Sequence, residues 1–395
     1  MSMTAVLRPI TTDELPALQT ITSYAFGGFD GGPAPWINPD WTMCAFVDGR
    51  LATTFGAWPF RVRLNGRSVA MAGITMVATL PEYRRRGLLR QVMIKALAEQ
   101  RDRGQAIAIL WASMGAIYQR YGFGLASSTV SYDIDPRRIQ FADGGPAAGT
   151  VRLHSREEAR PIFEEVFKEF SRPRNLVIQR AGAMWDIRQA GDRKEFGVYR
   201  DVSGAPRGFV AFDTGTDPER SPNQTITIND WAAMDADAYR GLWEFFGAHD
   251  LVGWVRWTRV PEDDPAPFLF LEPRELHRRT ADGIWMRVTD VVEALPQRPY
   301  GDADALTIAV RDDVCPWNDG TYVLETTGEE STCRRIDATP DLTMPASSLA
   351  VLLSGHRSAS MLARAGRVEA GDARALARAD RLFATHHAPW CNDDF

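Results

Sequence analysis

One stretch constrains the local architecture of this chain more than any other: Pro81 to Met93, PEYRRRGLLRQVM. The residues before it, VAMAGITMVATL, are largely apolar and bounded by turn residues, which marks a strand. After it, Leu88 with Val92, and Leu89 with Met93 and Leu97, recur at helical spacing and leave Arg90, Gln91 and Lys95 for the other face. Gly87 therefore stands at the first turn of a helix fed directly by a strand. The N–H groups of Gly87, Leu88 and Leu89 have no partners within such a helix, and the positive helix end converges with them on one anion. The missing side chain of Gly87 lets that anion approach the main chain, and the guanidinium groups of Arg84, Arg85 and Arg86 stand just upstream. A pyrophosphate, with a further phosphate beside it, fits this pattern.

The arginine run is a local feature, because the whole chain carries 45 basic against 51 acidic residues, a formal net charge of -6. A surface that wraps nucleic acid needs a basic surplus, so no nucleic-acid partner is expected. No GxxxxGK[ST] occurs, which excludes a P-loop, and no GxGxxG follows a strand, which argues against a dinucleotide fold. Cys44, Cys315, Cys333 and Cys391 lack CxxC spacing and the six histidines form no HxxxH pair, so neither a disulfide framework nor a metal site is expected. The opening MSMTAVLRPITTDELPALQT lacks the pattern of a secretion signal, and no uncharged apolar run approaches about 18 residues. The expectation is a cytoplasmic protein with no membrane partner.

Along the chain, TTDELPALQTITSYAF reads as a helix behind a Thr11/Glu14 capping box, with Leu15, Leu18, Ile21 and Phe26 on one side. A meander of strands follows, turning at Asp48-Gly49 and Asn65-Gly66. After the helix that starts at Gly87 come a strand AIAILWAS, a short helix GAIYQRYG and a strand STVSYDID, which closes a first domain of residues 1–148. The order then partly repeats over 149–284, from a Ser155/Glu158 capped helix to the junction NDWAAMDADAYRG, which has neither a basic run nor a glycine at the helix start. Residues 285–395 read as an α+β domain with two helices, ASSLAVLLSGHRSASMLARAG and DARALARADRLFAT, and an aromatic end, HHAPWCNDDF.

Strand, RRRGLL, long helix, strand and a short helix bearing tyrosines together resemble the GNAT N-acetyltransferase superfamily. Its acetyl-CoA motif, (Q/R)xxGx(G/A), is matched by Arg84 to Leu89, with Leu89 where most members carry Gly or Ala. The tripartite layout, VATLPEYRRRGLLR, WASMGAIYQRYGFG and the aromatic C-terminus resemble one branch of it, the enhanced intracellular survival (Eis) family. The resemblance implies an α/β (α+β) architecture: tandem GNAT folds, each a mixed central sheet with flanking helices, then a sterol carrier protein-like α+β domain. It makes the middle domain a degenerate copy without the CoA motif, and implies a homo-oligomer, commonly a hexamer.

For individual residues, the resemblance implies that Met76, Val77 and Thr79 pair with the pantetheine arm, and that Arg84, Arg85, Gly87 and Leu88 hold the pyrophosphate. It makes Tyr118 the acid that protonates the leaving thiolate, with Tyr121 one helical turn away as the rival. No histidine precedes His154, so the first domain supplies no imidazole base. The resemblance offers instead the α-carboxylate of Phe395, working through a water or orienting the amine. Phe26, Trp36, Trp111, Ser113 and Asp394 are implied to line the acceptor cleft, with Asp393 and Asp30 adding negative charge. The expected reaction is direct transfer from acetyl-CoA to a small-molecule amine, an aminoglycoside-like polycation first and a protein or peptide lysine second. A non-catalytic acyl-CoA- or lipid-binding regulator is the rival class.

Overall fold

The computed structural model describes residues 5–28, 37–191, 193–219 and 222–395. They form two compact units: Met1–Ala126 with Ile284–Thr385 and Asp393–Phe395, and Ser127–Gly283 with His386–Asn392.

The first segment runs β1 (Ala5–Arg8), α1 (Leu15–Phe26), β2 (Cys44–Val47), β3 (Arg50–Leu64), β4 (Arg67–Thr79), α2 (Leu88–Asp102), β5 (Ile107–Trp111), α3 (Gly115–Gln119) and β6 (Gly124–Leu125). The capping box ahead of α1 forms, with Thr11 N donating to Glu14 Oε2 at 2.9 Å. Leu18 and Ile21 are buried, whereas Phe26 ends the helix 42% exposed and does not join them. Both turns of the meander have positive φ at both central residues, Asp48 and Gly49 at 50° and 78°, Asn65 and Gly66 at 48° and 90°. That twist matches the flanking strands and sets the register of the hairpins.

The second segment holds β7 (Ser128–Ile134), β8 (Thr150–His154), α4 (Arg156–Ser171), α5 (Gly182–Gln189), β9 (Lys194–Arg200), β10 (Pro206–Thr216), β11 (Gln224–Ala233), α6 (Ala236–Gly247), β12 (Val252–Pro261), α7 (Ala266–Leu269) and β13 (Arg279–Asp282). Ser155 caps α4, its Oγ accepting from Glu158 N at 3.3 Å. Its sheet is ordered β13-β7-β12-β11-β10-β9-β8, over a core rich in aromatics that includes Trp231, Trp243, Trp257 and Trp390.

The third segment contributes β14 (Ile284–Val288), α8 (Val291–Gln297), β15 (Ala303–Arg311), β16 (Gly320–Thr327), β17 (Ser331–Ile336), β18 (Leu342–Pro345), α9 (Ala346–Ser354), α10 (Ala359–Arg364), β19 (Glu369–Ala370) and α11 (Ala373–Leu382). Strands β15 to β19 form a five-stranded sheet of order β17-β16-β15-β18-β19. The stretch expected to be one helix breaks into α9 and α10, because Gly355 turns left-handed at φ 71° and Ser358 starts a new helix by accepting from Met361 N.

Two strands sit elsewhere than the sequence order suggested. STVSYDID, read as the last strand of the first domain, is β7 and pairs with β12 and β13. In its place β14 enters the first sheet, Ile284 opposite Trp111 on β5, giving the order β1-β2-β3-β4-β5-β14-β6. Alternation tells which face of a strand is buried but not which sheet edge it joins.

β14 also carries a buried ion pair. Arg287 lies fully buried in a hydrophobic strand and bonds Asp312 Oδ2, while Asp312 Oδ1 accepts from the N–H groups of Val314 and Cys315 at 3.2 and 2.9 Å. Asp312→Ala strands a guanidinium out of water, so it should cost about 3 kcal/mol or more of stability by denaturant titration. A loss under about 1 kcal/mol would mean that Arg287 has another route to compensation.

Candidate active site

Strand β4 leaves the sheet early on one side. It runs parallel to β5 only over Met71↔Ile107, Ala72↔Ala108 and Gly73↔Ile109, then continues to Thr79 paired with β3 alone. Between Thr54↔Ala78 and Gly56↔Thr75, two residues of β4, Met76 and Val77, face one residue of β3. This bulge puts Met76 at φ 54°, an uncommon conformation for an unbranched side chain, and turns its carbonyl to Thr54 Oγ1 at 2.7 Å. The bulge aims the strand away from β5 and opens a wedge between them.

Of the three residues expected to meet the pantetheine arm, Met76 therefore has its carbonyl engaged. The Thr79 carbonyl accepts from Arg84 Nε at 3.0 Å. Val77, the other residue of the bulge, is partly buried against the core cluster of this sheet.

The loop that follows is shaped by two left-handed residues. Arg85 has φ 63° and Gly87 has φ 76°, with Gly87 as the N-cap of α2 and no side chain capping it. A Cβ on Gly87 would meet nothing within 4 Å, so the glycine is required by conformation and by open approach rather than by crowding. The first helical bond runs from Gln91 N to Gly87 O at 3.2 Å, which leaves the N–H groups of Leu88 to Arg90 pointing out of the helix end. Arg84, Arg85, Arg86 and Gly87 are exposed, whereas Leu88 is 5% exposed and anchors the helix. Leu89 packs partly buried against the same core cluster, so its side chain leaves the amide end clear. Arg84 turns back to Thr79 and braces the loop, while Arg86 lies 5.8 Å from the ring of Tyr83.

Tyr118 follows β5 on α3 and shares a core cluster with Ile74 of β4, Leu88 of α2 and Leu110 of β5. It is 6% exposed, edge-on to Phe123 at 5.8 Å, and burial, with a lesser part from Tyr121, pushes its phenol up to about 12. Tyr121, 8% exposed, is raised in the same direction, chiefly by burial. Both are neutral phenols at physiological pH.

The C-terminal residues dock on this same unit. Trp111, at the end of β5, donates its indole N–H to the carbonyl of Asp393 at 2.8 Å. The ring of Phe395 meets Phe60 of β3 edge-on at 5.6 Å. A Cβ on Gly73 would lie 2.7 Å from Phe60 and 3.1 Å from Phe395, so the last residue rests where β4 has no side chain and where β4 and β5 begin to part. Phe60 and Gly73 escaped the sequence reading, although a glycine inside VAMAGITM signals a close approach. Asp393, expected at a charged mouth, is instead 1% exposed; Asp394 is exposed, as is Ser113. Phe26 ends α1, and Trp36 and Asp30 lie outside the described residues.

Three family models match the chain: an acetyltransferase (GNAT) domain over residues 6–126, a second acetyltransferase (GNAT) domain over 176–288 and a sterol carrier protein domain over 291–392. An uncharacterized N-acetyltransferase of Streptomyces avermitilis is 31% identical, covering 91% of this chain and 90% of its own. The N-acetyltransferase Eis of Mycobacterium tuberculosis is 28% identical over 97% of this chain and 98% of its own. The crystal structure of Eis1 from Mycobacterium abscessus superposes with a TM-score of 0.85 at 27% identity, covering 99% of this chain and all of that one. With an amide-lined helix end, a parted pair of parallel strands and these relatives together, the chain belongs to the Eis family of GNAT N-acetyltransferases and is an acetyltransferase enzyme.

Proposed function

We propose that the protein transfers the acetyl group of acetyl-CoA directly to an amine of an aminoglycoside-like polycation. The observation that carries this reading is the convergence on one wedge of the Arg84–Leu89 loop, the bulged edge of β4 and the docked C-terminal residue. The amides of Leu88 and Leu89, with Arg85 and Arg86, hold the pyrophosphate, and Arg84 acts by bracing the loop. Val77, and to a lesser degree Met76 and Thr79, guide the pantetheine arm. The amine nitrogen, freed of one proton, attacks the thioester carbonyl; the C–S bond breaks and its electrons leave with sulfur. The proton that nitrogen sheds on forming the amide goes to the Phe395 carboxylate or a water it orients, and the leaving sulfur takes a hydrogen bond, then a proton, from the Tyr118 hydroxyl, which solvent reprotonates. Trp111, through Asp393, and Phe60 keep Phe395 in place; Trp111, Ser113, Asp394, Phe26 and Trp36 make up the acceptor side.

Direct transfer is favoured because no thiol stands ready to carry the acetyl group. All four cysteines are buried, and burial pushes Cys44 and Cys333 up to about 12 and raises Cys315 as well. A net charge of -6 suits a cationic acceptor. The middle domain serves as a scaffold in this reading, since Asp235 caps α6 at the position that Gly87 occupies at α2. A cytoplasmic homohexamer belongs to the same proposal; among the described residues no helix is long and apolar enough to cross a membrane.

Three measurements test the site. Arg85→Ala with Gly87→Ala should raise the KM for acetyl-CoA by about tenfold or more with a smaller change in kcat, followed by thiol release; an unchanged KM removes the phosphate assignment. Tyr118→Phe should lower kcat by about 10²-fold. A phenol held at about 12 stays protonated across the assay range, so the wild-type enzyme should show no alkaline fall of kcat from this group below about pH 10. Near-normal turnover in Tyr118→Phe would move the role to Tyr121. Adding one glycine after Phe395 shifts the carboxylate by about 3.5 Å and should depress kcat while KM for acetyl-CoA holds; full activity would exclude the terminal carboxylate.

A further inference from the structure

The second sheet repeats the parting of strands that opens the first site. β11 and β12 run parallel from Gln224↔Val252 to Ile228↔Trp257, and the pairing ends there, while β11 goes on to Ala233 and β12 to Pro261. Here too the departing strand is bulged: Ala211 faces Asp230 and Phe212 faces Ile228, so Asn229 is the extra residue. A bulge where two strands part leaves backbone carbonyls without a neighbouring strand, and they need donors from elsewhere.

In this sheet the donors include the end of the chain itself. Asn392 Nδ2 donates to the Asn229 carbonyl at 3.2 Å and to Asp230 Oδ1 at 3.3 Å. Trp390 Nε1 donates to the Arg259 carbonyl of β12 at 2.6 Å, and its ring lies 5.8 Å from that of Trp231 on β11, so one side chain spans the gap between the parted strands. Ahead of it, Ala388 N donates to Asp263 Oδ2 at 2.8 Å, and Trp390 N donates to the Asn175 carbonyl at 2.9 Å. Trp390, Cys391 and Asn392 are all buried. A charged clasp closes over the last of them. Arg188 donates to the Asn392 carbonyl at 3.0 Å and to the Asn229 carbonyl at 2.6 Å, while Asp230 holds Arg180 through both oxygens at 2.7 and 2.9 Å and lies 3.1 Å from Arg188. Burial raises the Asp230 carboxyl, but Arg180 and Arg188 outweigh it and hold the group down at about 2, so the clasp stays charged over any ordinary assay range.

We propose that the parted strands of the second GNAT-like sheet are a socket for residues 388–392, and that Asn392 is a positioning residue which sets where the terminal carboxylate stands. The proposal rests on the reading that the Phe395 carboxylate takes part in transfer. A ring such as that of Trp390 anchors a chain without fixing its register, whereas Asn392 is held through its side-chain amide and its main-chain carbonyl together. Phe395 follows Asn392 by three residues, and a slip of one residue at Asn392 displaces the carboxylate by about 3.5 Å. A proton-transfer contact does not survive a shift of that size. The second domain thus acts on the reaction through the chain end that it grips, without touching cofactor or acceptor.

Two readouts separate the socket from its use. Carboxypeptidase A removes a C-terminal phenylalanine only from a tail that has left its seat, so release of Phe395 reports on the seat without reference to catalysis. In the full-length protein, Asn392→Ala should raise the rate of release about tenfold or more, lower kcat by a similar factor and leave the KM for acetyl-CoA unchanged. Arg188→Gln removes the donor to the Asn392 carbonyl while Arg180 still neutralises Asp230; it should act in the same way, and it keeps the test decisive if Asn392→Ala folds poorly. Unchanged release of Phe395 in both folded variants would overturn the socket. Deletion of Phe395 checks the reading beneath it: full kcat in the deletion would overturn the role of the carboxylate, whereas a low kcat there beside normal kcat in both variants would overturn the positioning role of Asn392.

Discussion

The first sheet is shaped by two parallel strands that stop pairing after three residues, and the proposed function depends on that parting. Backbone N–H and C=O groups left unpaired inside a sheet must find partners, and a wedge between parting strands is where a ligand supplies them. In the first sheet the parting is enforced by a bulge, two residues against one, and by Met76 held at positive φ. The same strand leads to a helix whose first amides have no partner within the helix, and in the proposed function the strand edge takes the extended arm and these amides take its phosphates. In the second sheet β11 and β12 also part, but there the helix end is capped by Asp235, whose carboxylate accepts from Ala238 N.

Asp393 and Phe395 pack against strands of the first sheet, and the proposed function makes use of that placement. A chain end is normally free to fray, yet here Trp390 donates to Arg259 O at 2.6 Å within one unit and Asp393 accepts from Trp111 within the other. Gly73 completes the arrangement by leaving bare backbone where the ring of Phe395 lies.

What could be read in the sequence was local. Asn65-Gly66, the Thr11/Glu14 and Ser155/Glu158 boxes and the strand-glycine-helix junction all depend on neighbours within a few residues, and all form. What could not be read depends on distant partners. β7 and β14 are ordinary apolar strands whose sheets are chosen by edges more than a hundred residues away, Ile284 opposite Trp111 being one case. Asp393 reads as a surface charge in CNDDF and is buried because its carbonyl is held by an indole. The arginine run reads in sequence as an anion site, which remains a proposal, and nothing in the sequence signals that Arg84 Nε donates to the Thr79 carbonyl.

The most direct test of the account is a single-turnover experiment with acetyl-CoA labelled in the acetyl group. Mixed with enzyme alone and quenched, it should give bound acetyl-CoA, no label fixed to protein and no thiol released; adding a multi-amine aminoglycoside should then release thiol and move the label to the amine in one phase. A burst of thiol with stoichiometric labelling of the protein before any amine is present would contradict direct transfer within the wedge.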